Sequence, residues 1–117
     1  MWIICARPGR AGDELIAVSV TSRDSYPHPD LSCTLAPGDH PWITKQSIIF
    51  YSIPTSDTPN GLQQRITRGE AEPQDPVGDD LVRQIREGVF VSEFSPPWLR
   101  DAISECAWPA AGPRRAP

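Results

Sequence analysis

The chain has 117 residues, a net charge of -4, and 38% hydrophobic against 22% charged residues. That length suits one domain with one modest core, and the acidic balance excludes a strongly basic nucleic-acid-binding surface over the whole chain. The apolar runs Ile48–Tyr51 and Leu15–Val20 fall far short of the roughly 20 residues that span a bilayer, and no basic leader precedes the apolar start at Met1, so the expected location is the cytoplasm, away from membranes.

In chain order, Trp2–Ala6 reads as a short apolar strand and the Gly- and Pro-rich stretch from Arg7 to Asp13 as the turn that ends it. Glu14–Thr21 alternates and is rich in Val and Ile, which predicts a second strand. A polar loop with Tyr26-Pro27-His28-Pro29 follows. Leu31–Leu35 reads as a third strand, with Leu31, Cys33 and Leu35 on one face. After the turn Ala36-Pro37-Gly38-Asp39 come a brief extended piece, His40–Thr44, and a fourth strand, Ser47–Ile53.

The character changes after Pro54. Thr55–Gly61 has the composition of a linker, and Leu62–Gly69 suits a short helical turn. The pattern over Asp79–Glu87 predicts a helix capped by Asp79, with an apolar stripe of Leu81, Val82 and Ile85 and a stop at Gly88. Val89–Phe94 reads as a linker whose Phe90 and Phe94 pack inward. Ser95-Pro96-Pro97 opens a last helix with Ser95 as its cap, and Trp98, Leu99, Ala102, Ile103 and Cys106 form the stripe that docks on the sheet. The 14 prolines keep ordered elements short. The expectation is α+β: a small barrel or strongly bent antiparallel sheet followed by two short C-terminal helices. One compact domain covers 1–108, strand-rich over 1–54 and helical over 55–108, with a disordered tail at 109–117.

The three cysteines, Cys5, Cys33 and Cys106, form no CxxC pair, and the odd count argues against a disulfide framework. His28 and His40 show no metal-ligand spacing, so neither metal nor cofactor is expected. No nucleophile elbow or phosphate-cradling loop is present. Asp39-His40 is the one adjacent acid–imidazole pair; it reads as a turn or as an acid/base unit. The stretch Thr21-Ser22-Arg23 delivers two hydroxyls and a guanidinium to the end of a strand. With Arg7 and Arg10 brought near, that group suits a phosphodiester, the guanidinium neutralising the oxyanion and the hydroxyls orienting the backbone.

Leu15-Ile16-Ala17-Val18-Ser19-Val20-Thr21-Ser22, Tyr26-Pro27 and Ile43-Thr44-Lys45-Gln46-Ser47-Ile48, in that order, resemble the MazF/PemK-type toxins of toxin–antitoxin systems. The resemblance covers roughly residues 2–53. It implies an SH3-like barrel, a dimer, an antitoxin or other protein partner, and metal-independent cleavage of RNA. Arg7-Pro8 falls after the first strand, where the family carries its Arg-Pro before the corresponding strand. Under this reading a ribose 2′-OH attacks the adjacent phosphorus. Thr21 orients the phosphate, Arg23 or Arg10 stabilises the developing charge, and His40 or His28 moves the proton. Arg7, Arg10, Ser22 and Lys45 hold the RNA. The other reading is a non-catalytic SH3-like interaction module whose groove, lined by Trp42, Tyr51 and Trp98, docks a protein.

Overall fold

The computed structural model describes residues 1–6 and 14–106. Arg7, Arg10 and the expected tail at 109–117 lie outside the described residues. Four strands, β1 (Trp2–Ala6), β2 (Leu15–Ser22), β3 (Thr34–Leu35) and β4 (Ser47–Asp57), are followed by three helices, α1 (Pro59–Thr67), α2 (Asp79–Val91) and α3 (Pro97–Glu105). All strand pairs are antiparallel, in the order β1-β2-β4-β3. The sheet curls into a half-barrel, so the α+β class and the strongly bent antiparallel sheet hold.

Two irregularities bend it. Cys5 is passed over between the pairs Ile4↔Ala17 and Ala6↔Ile16. On β4 the register jumps from Phe50↔Ser19 to Thr55↔Ala17, so residues 51–54 lie opposite Val18 alone. Extra residues on one strand bend it and raise its twist. Pro54 sits inside this bulge, where its missing N–H costs no ladder bond. The strand therefore continues past Pro54 to Asp57 instead of giving way to a linker, and Thr58 then caps α1, its hydroxyl accepting from the Gly61 N–H at 2.9 Å. The short helical turn expected from Leu62 is thus a nine-residue helix that starts at Pro59, with Pro in the first turn.

The core lies between one face of the sheet and the apolar stripes of α2 and α3. Ile3, Cys5, Ile16, Val18, Leu35, Ile49 and Tyr51 from the strands meet Ile85 and Val89 of α2 and Leu99 and Ile103 of α3. Leu31 stays half exposed and β3 shrinks to two residues, although Cys33 and Leu35 do turn inward as their shared face requires. His40–Thr44 forms a turn rather than an extended piece.

The helix α2 runs through Gly88 to Val91, with the Ser92 N–H bonded to the Gly88 carbonyl at 2.9 Å. Gly88 is not a stop signal. It is buried mid-helix, and a Cβ there would collide with the Tyr51 hydroxyl, which donates to the Ile85 carbonyl at 2.6 Å. The glycine is needed for close approach of strand and helix, which outweighs its helix-breaking tendency. Gly78, not Asp79, is the N-cap of α2, and Asp79 and Asp80 occupy its first turn, where the helix dipole favours carboxylates. Pro96 takes the N-cap of α3, leaving Ser95 buried with its hydroxyl unpartnered. Phe90 and Phe94 do not pack inward: they are 49% and 58% exposed, and Trp98 likewise faces outward.

Arg86 ties the two halves together. Its guanidinium donates to the carbonyl of Cys5 on β1 at 2.7 Å, to that of Ile103 at 3.1 Å, and to that of Cys106 at the end of α3. The last carbonyls of a helix have no partner within it, and a planar, permanently charged donor suits them. The Cys5 thiol beside it is pushed up to about 12 by burial, with Arg86 offsetting part of that rise. Burial also raises the Cys33 thiol and the Tyr51 phenol. All three cysteines are buried.

Candidate functional site

Side chains directly opposite in an antiparallel pair share a face of the sheet. The pairs Val20↔Ile49 and Thr21↔Ile48 therefore separate two surfaces. Ile49 belongs to the core, while Ile48, Phe50 and Ser52 form the floor of a groove of about 210 Å³ on the opposite side.

Local sequence builds the groove walls. At the end of β2, the Ser22 hydroxyl accepts from the Asp24 N–H at 3.3 Å and starts a single 3-10 turn, Arg23–Ser25. The chain then extends through Tyr26, whose ring stacks on Phe50 with centroids 5.5 Å apart and planes 17° apart. Pro29 and His28 continue the wall to Asp30. Asp30 forms a tight turn: its Oδ1 accepts from the Ser32 N–H at 3.0 Å and from the Ser32 hydroxyl at 2.6 Å. Its Oδ2 accepts from the Ser92 hydroxyl at 2.5 Å. Ser92 in turn accepts from the Phe94 N–H at 3.1 Å, which holds Phe94 over the groove from the α2–α3 junction. Burial works to raise the Asp30 carboxyl, but the hydrogen bonds from Ser32 and Ser92 outweigh it and hold the group below its ordinary value.

Thr21, half-buried, lies on the groove's face of the sheet, directly opposite the groove-lining Ile48. Ser22 is committed to the 3-10 turn. Arg23 and Lys45 are both exposed and are brought to one end of the sheet, where the Arg23 N–H bonds the Gln46 carbonyl at 3.0 Å. His40 is elsewhere in role. It is buried, its Nδ1 accepts from the Trp42 N–H at 3.1 Å, and its Nε2 donates to the Asp75 carbonyl at 2.6 Å. Both ring nitrogens thus hold backbone, pinning the 70–78 loop to the turn before β4. Asp39 bonds the Ala36 N–H at 2.8 Å, so the pair Asp39-His40 is part of a turn.

The histidine that lines the groove is His28. Of the three aromatics expected to form a docking groove, only Tyr51 borders this one; the Trp42 indole N–H is bonded to the Gln74 side chain, and Trp98 stands on α3. Asp30 and Phe50 were assigned no role from the sequence, and Phe94 was expected to pack inward. The run Asp30-Leu31-Ser32 carried a visible turn signal, but nothing in the spacing joins it to Ser92. Among the described residues, no cluster of three or more His, Cys, Asp or Glu side chains is placed to hold a metal ion, and no helix is long and apolar enough to cross a membrane. Comparison with protein-family models, with curated proteins and with solved structures finds no match.

Proposed function

We propose that the protein is a non-catalytic docking module that takes an extended segment of a partner protein in the groove beneath Tyr26 and Phe94. The observation that carries this reading is the composition of the lining. Four aromatic rings (Tyr26, Phe50, Tyr51 and Phe94), an isoleucine floor and one carboxylate converge there, and no lysine or arginine of the described residues joins them. Concave, mostly apolar surfaces with a few placed polar groups are the usual form of binding sites. Stabilising a cleaved phosphodiester would instead need a cation aimed at the developing charge. Opposite Ile48, Thr21 supplies a hydroxyl at the groove's edge for a backbone amide of the bound segment.

Selection from a displayed library of random dodecapeptides tests this. The expected result is enrichment of peptides whose binding drops about fivefold or more in Phe94→Ala and Tyr26→Ala. Failure to enrich any peptide sensitive to these two changes overturns it.

A toxin-like RNA-binding protein, with endoribonuclease activity, is the second reading. It rests on the backbone pairing of Arg23 with Gln46, next to Lys45, which puts two exposed cations at the sheet end where β2 leads on to Tyr26, since cations and aromatic rings on one surface suit single-stranded RNA. Incubation with total RNA decides: fragments that disappear in Arg23→Ala and Thr21→Ala favour it, and intact RNA removes it.

A further inference from the structure

We infer that the groove is built for the ε-ammonium of a lysine carried on the partner segment, a proposal that rests on the docking reading above. The charge in the groove is negative, and its setting is aromatic. Asp30 is the one carboxylate in the lining, and its hydrogen bonds favour the ionised form. Tyr26 stacks on Phe50 and yet stays 42% exposed, while Phe94 is largely exposed above. An organic cation is attracted both by ring faces and by a carboxylate.

The hydrogen-bond count then selects among cations. An ionised carboxylate offers about four acceptor positions. Two on Oδ1 are taken by the Ser32 N–H and hydroxyl, and one on Oδ2 by Ser92. A single position on Oδ2 remains. A guanidinium binds a carboxylate best as a fork on both oxygens, and Oδ1 is already full. An ammonium is a compact point charge that can use one acceptor and turn its remaining face to the rings. A trimethylated ammonium keeps the ring attraction but has no N–H for Oδ2. The preference is therefore lysine over arginine, and unmodified over trimethylated lysine. Norleucine, which has lysine's methylenes without its charge, measures what the apolar walls supply alone.

The test uses blocked single amino acids as probes, Nα-acetyl-lysine methylamide and its arginine, norleucine and trimethyl-lysine counterparts. They are titrated into the ¹⁵N-labelled full chain. The lysine probe is expected to move the amide signals of Tyr26, His28, Asp30 and Phe94 saturably, about tenfold more tightly than the norleucine probe. The arginine and trimethyl-lysine probes fall between. Phe94→Ala, an exposed change that leaves the rest of the spectrum in place, weakens the lysine probe about fivefold. Asp30→Asn brings it to the norleucine level, and raising the salt weakens lysine but not norleucine. Equal binding of the lysine and norleucine probes, an arginine probe that binds most tightly, or shifts confined to another surface overturns the inference. Selected dodecapeptides whose lysines can all become norleucine without loss overturn it as well, while leaving the docking groove standing. A library that yields no groove-dependent peptide removes the docking reading itself.

Discussion

Alternate residues of β4 serve two different purposes. Ile49 and Tyr51 point into the core under α2 and α3, where the Tyr51 hydroxyl finds the Ile85 carbonyl and Gly88 makes room for it. Ile48, Phe50 and Ser52 point the other way and floor a groove whose walls, Tyr26 and Phe94, remain open to solvent. On the first face every large side chain is fixed by its neighbours. On the second, aromatic area is left uncovered and the one charge is held by serines. A face that is packed to fit resists substitution; the exposed groove walls Tyr26 and Phe94 tolerate it, while Ile48 in the floor is itself fully buried.

The sharpest way to break this contrast is at Tyr51. Tyr51→Ala empties a fully buried aromatic site and is expected to cost about 4 kcal/mol in denaturant unfolding. Gly88→Ala drives a methyl into the same hydroxyl and costs about 2 kcal/mol despite alanine's better helix propensity. Part of that cost, about 1 kcal/mol, disappears when Gly88→Ala is made on a Tyr51→Phe background, because the colliding oxygen is gone. A double-mutant cycle that shows no coupling would mean that helix and strand do not meet here.

Next in size is Arg86→Met. It strands the carbonyls of Cys5, Ile103 and Cys106 and is expected to cost about 2 kcal/mol. Arg86→Lys recovers little, since one ammonium cannot reach three carbonyls in a fork. Thiol labelling gives an independent check. With the Cys5 thiol pushed up to about 12 by burial, labelling at pH 8 proceeds only as fast as the core opens. Arg86→Met speeds it. Rapid labelling of Cys5 in the native wild-type protein contradicts the packing.

Asp30 connects the two faces. Its folded carboxyl is held below the unfolded value, so its contribution is fully present above the unfolded value of about 3.9 and is lost as pH falls through the folded one. Stability followed from pH 6 downward is expected to fall less steeply in Asp30→Asn than in the wild type. Equal acid slopes for the two proteins refute the role given to Ser32 and Ser92.

The smallest effects belong to the open face. Phe94→Ala and Tyr26→Ala are expected to shift unfolding by only about 0.5 kcal/mol each, since both rings are substantially exposed. A loss of several kcal/mol at Phe94 would show that it is part of the core, and the groove would lose its upper wall.

Local chemistry made much of the molecule readable in advance. The alternation in Glu14–Thr21 and the apolar run at Trp2–Ala6 reappear as strands, Leu15–Ser22 and Trp2–Ala6, and of the stripe Trp98, Leu99, Ala102, Ile103 and Cys106 all but the exposed Trp98 turn toward the core. The groove was less legible. Thr21, singled out for its hydroxyl, pairs with the groove-lining Ile48; of the two histidines considered, His28 lines the groove and His40 holds backbone; and Phe90 and Phe94, expected inward, are exposed. Hydrophobicity marks a phenylalanine as eager for burial without saying whether a surface is available to cover it. Likewise a glycine after a helical stripe looks the same whether it ends the helix or admits a tyrosine.

Periodicity, turn residues and proline placement by themselves determined the bent antiparallel sheet and the helical second half, because those preferences act over a few neighbouring residues. Which face became core and which became groove was settled only in three dimensions. The bonds that decide it join Tyr51 to Ile85 across 34 positions and Asp30 to Ser92 across 62. No local preference encodes such a meeting; it follows from how the helices land on the curled sheet, and from which side chains they leave uncovered.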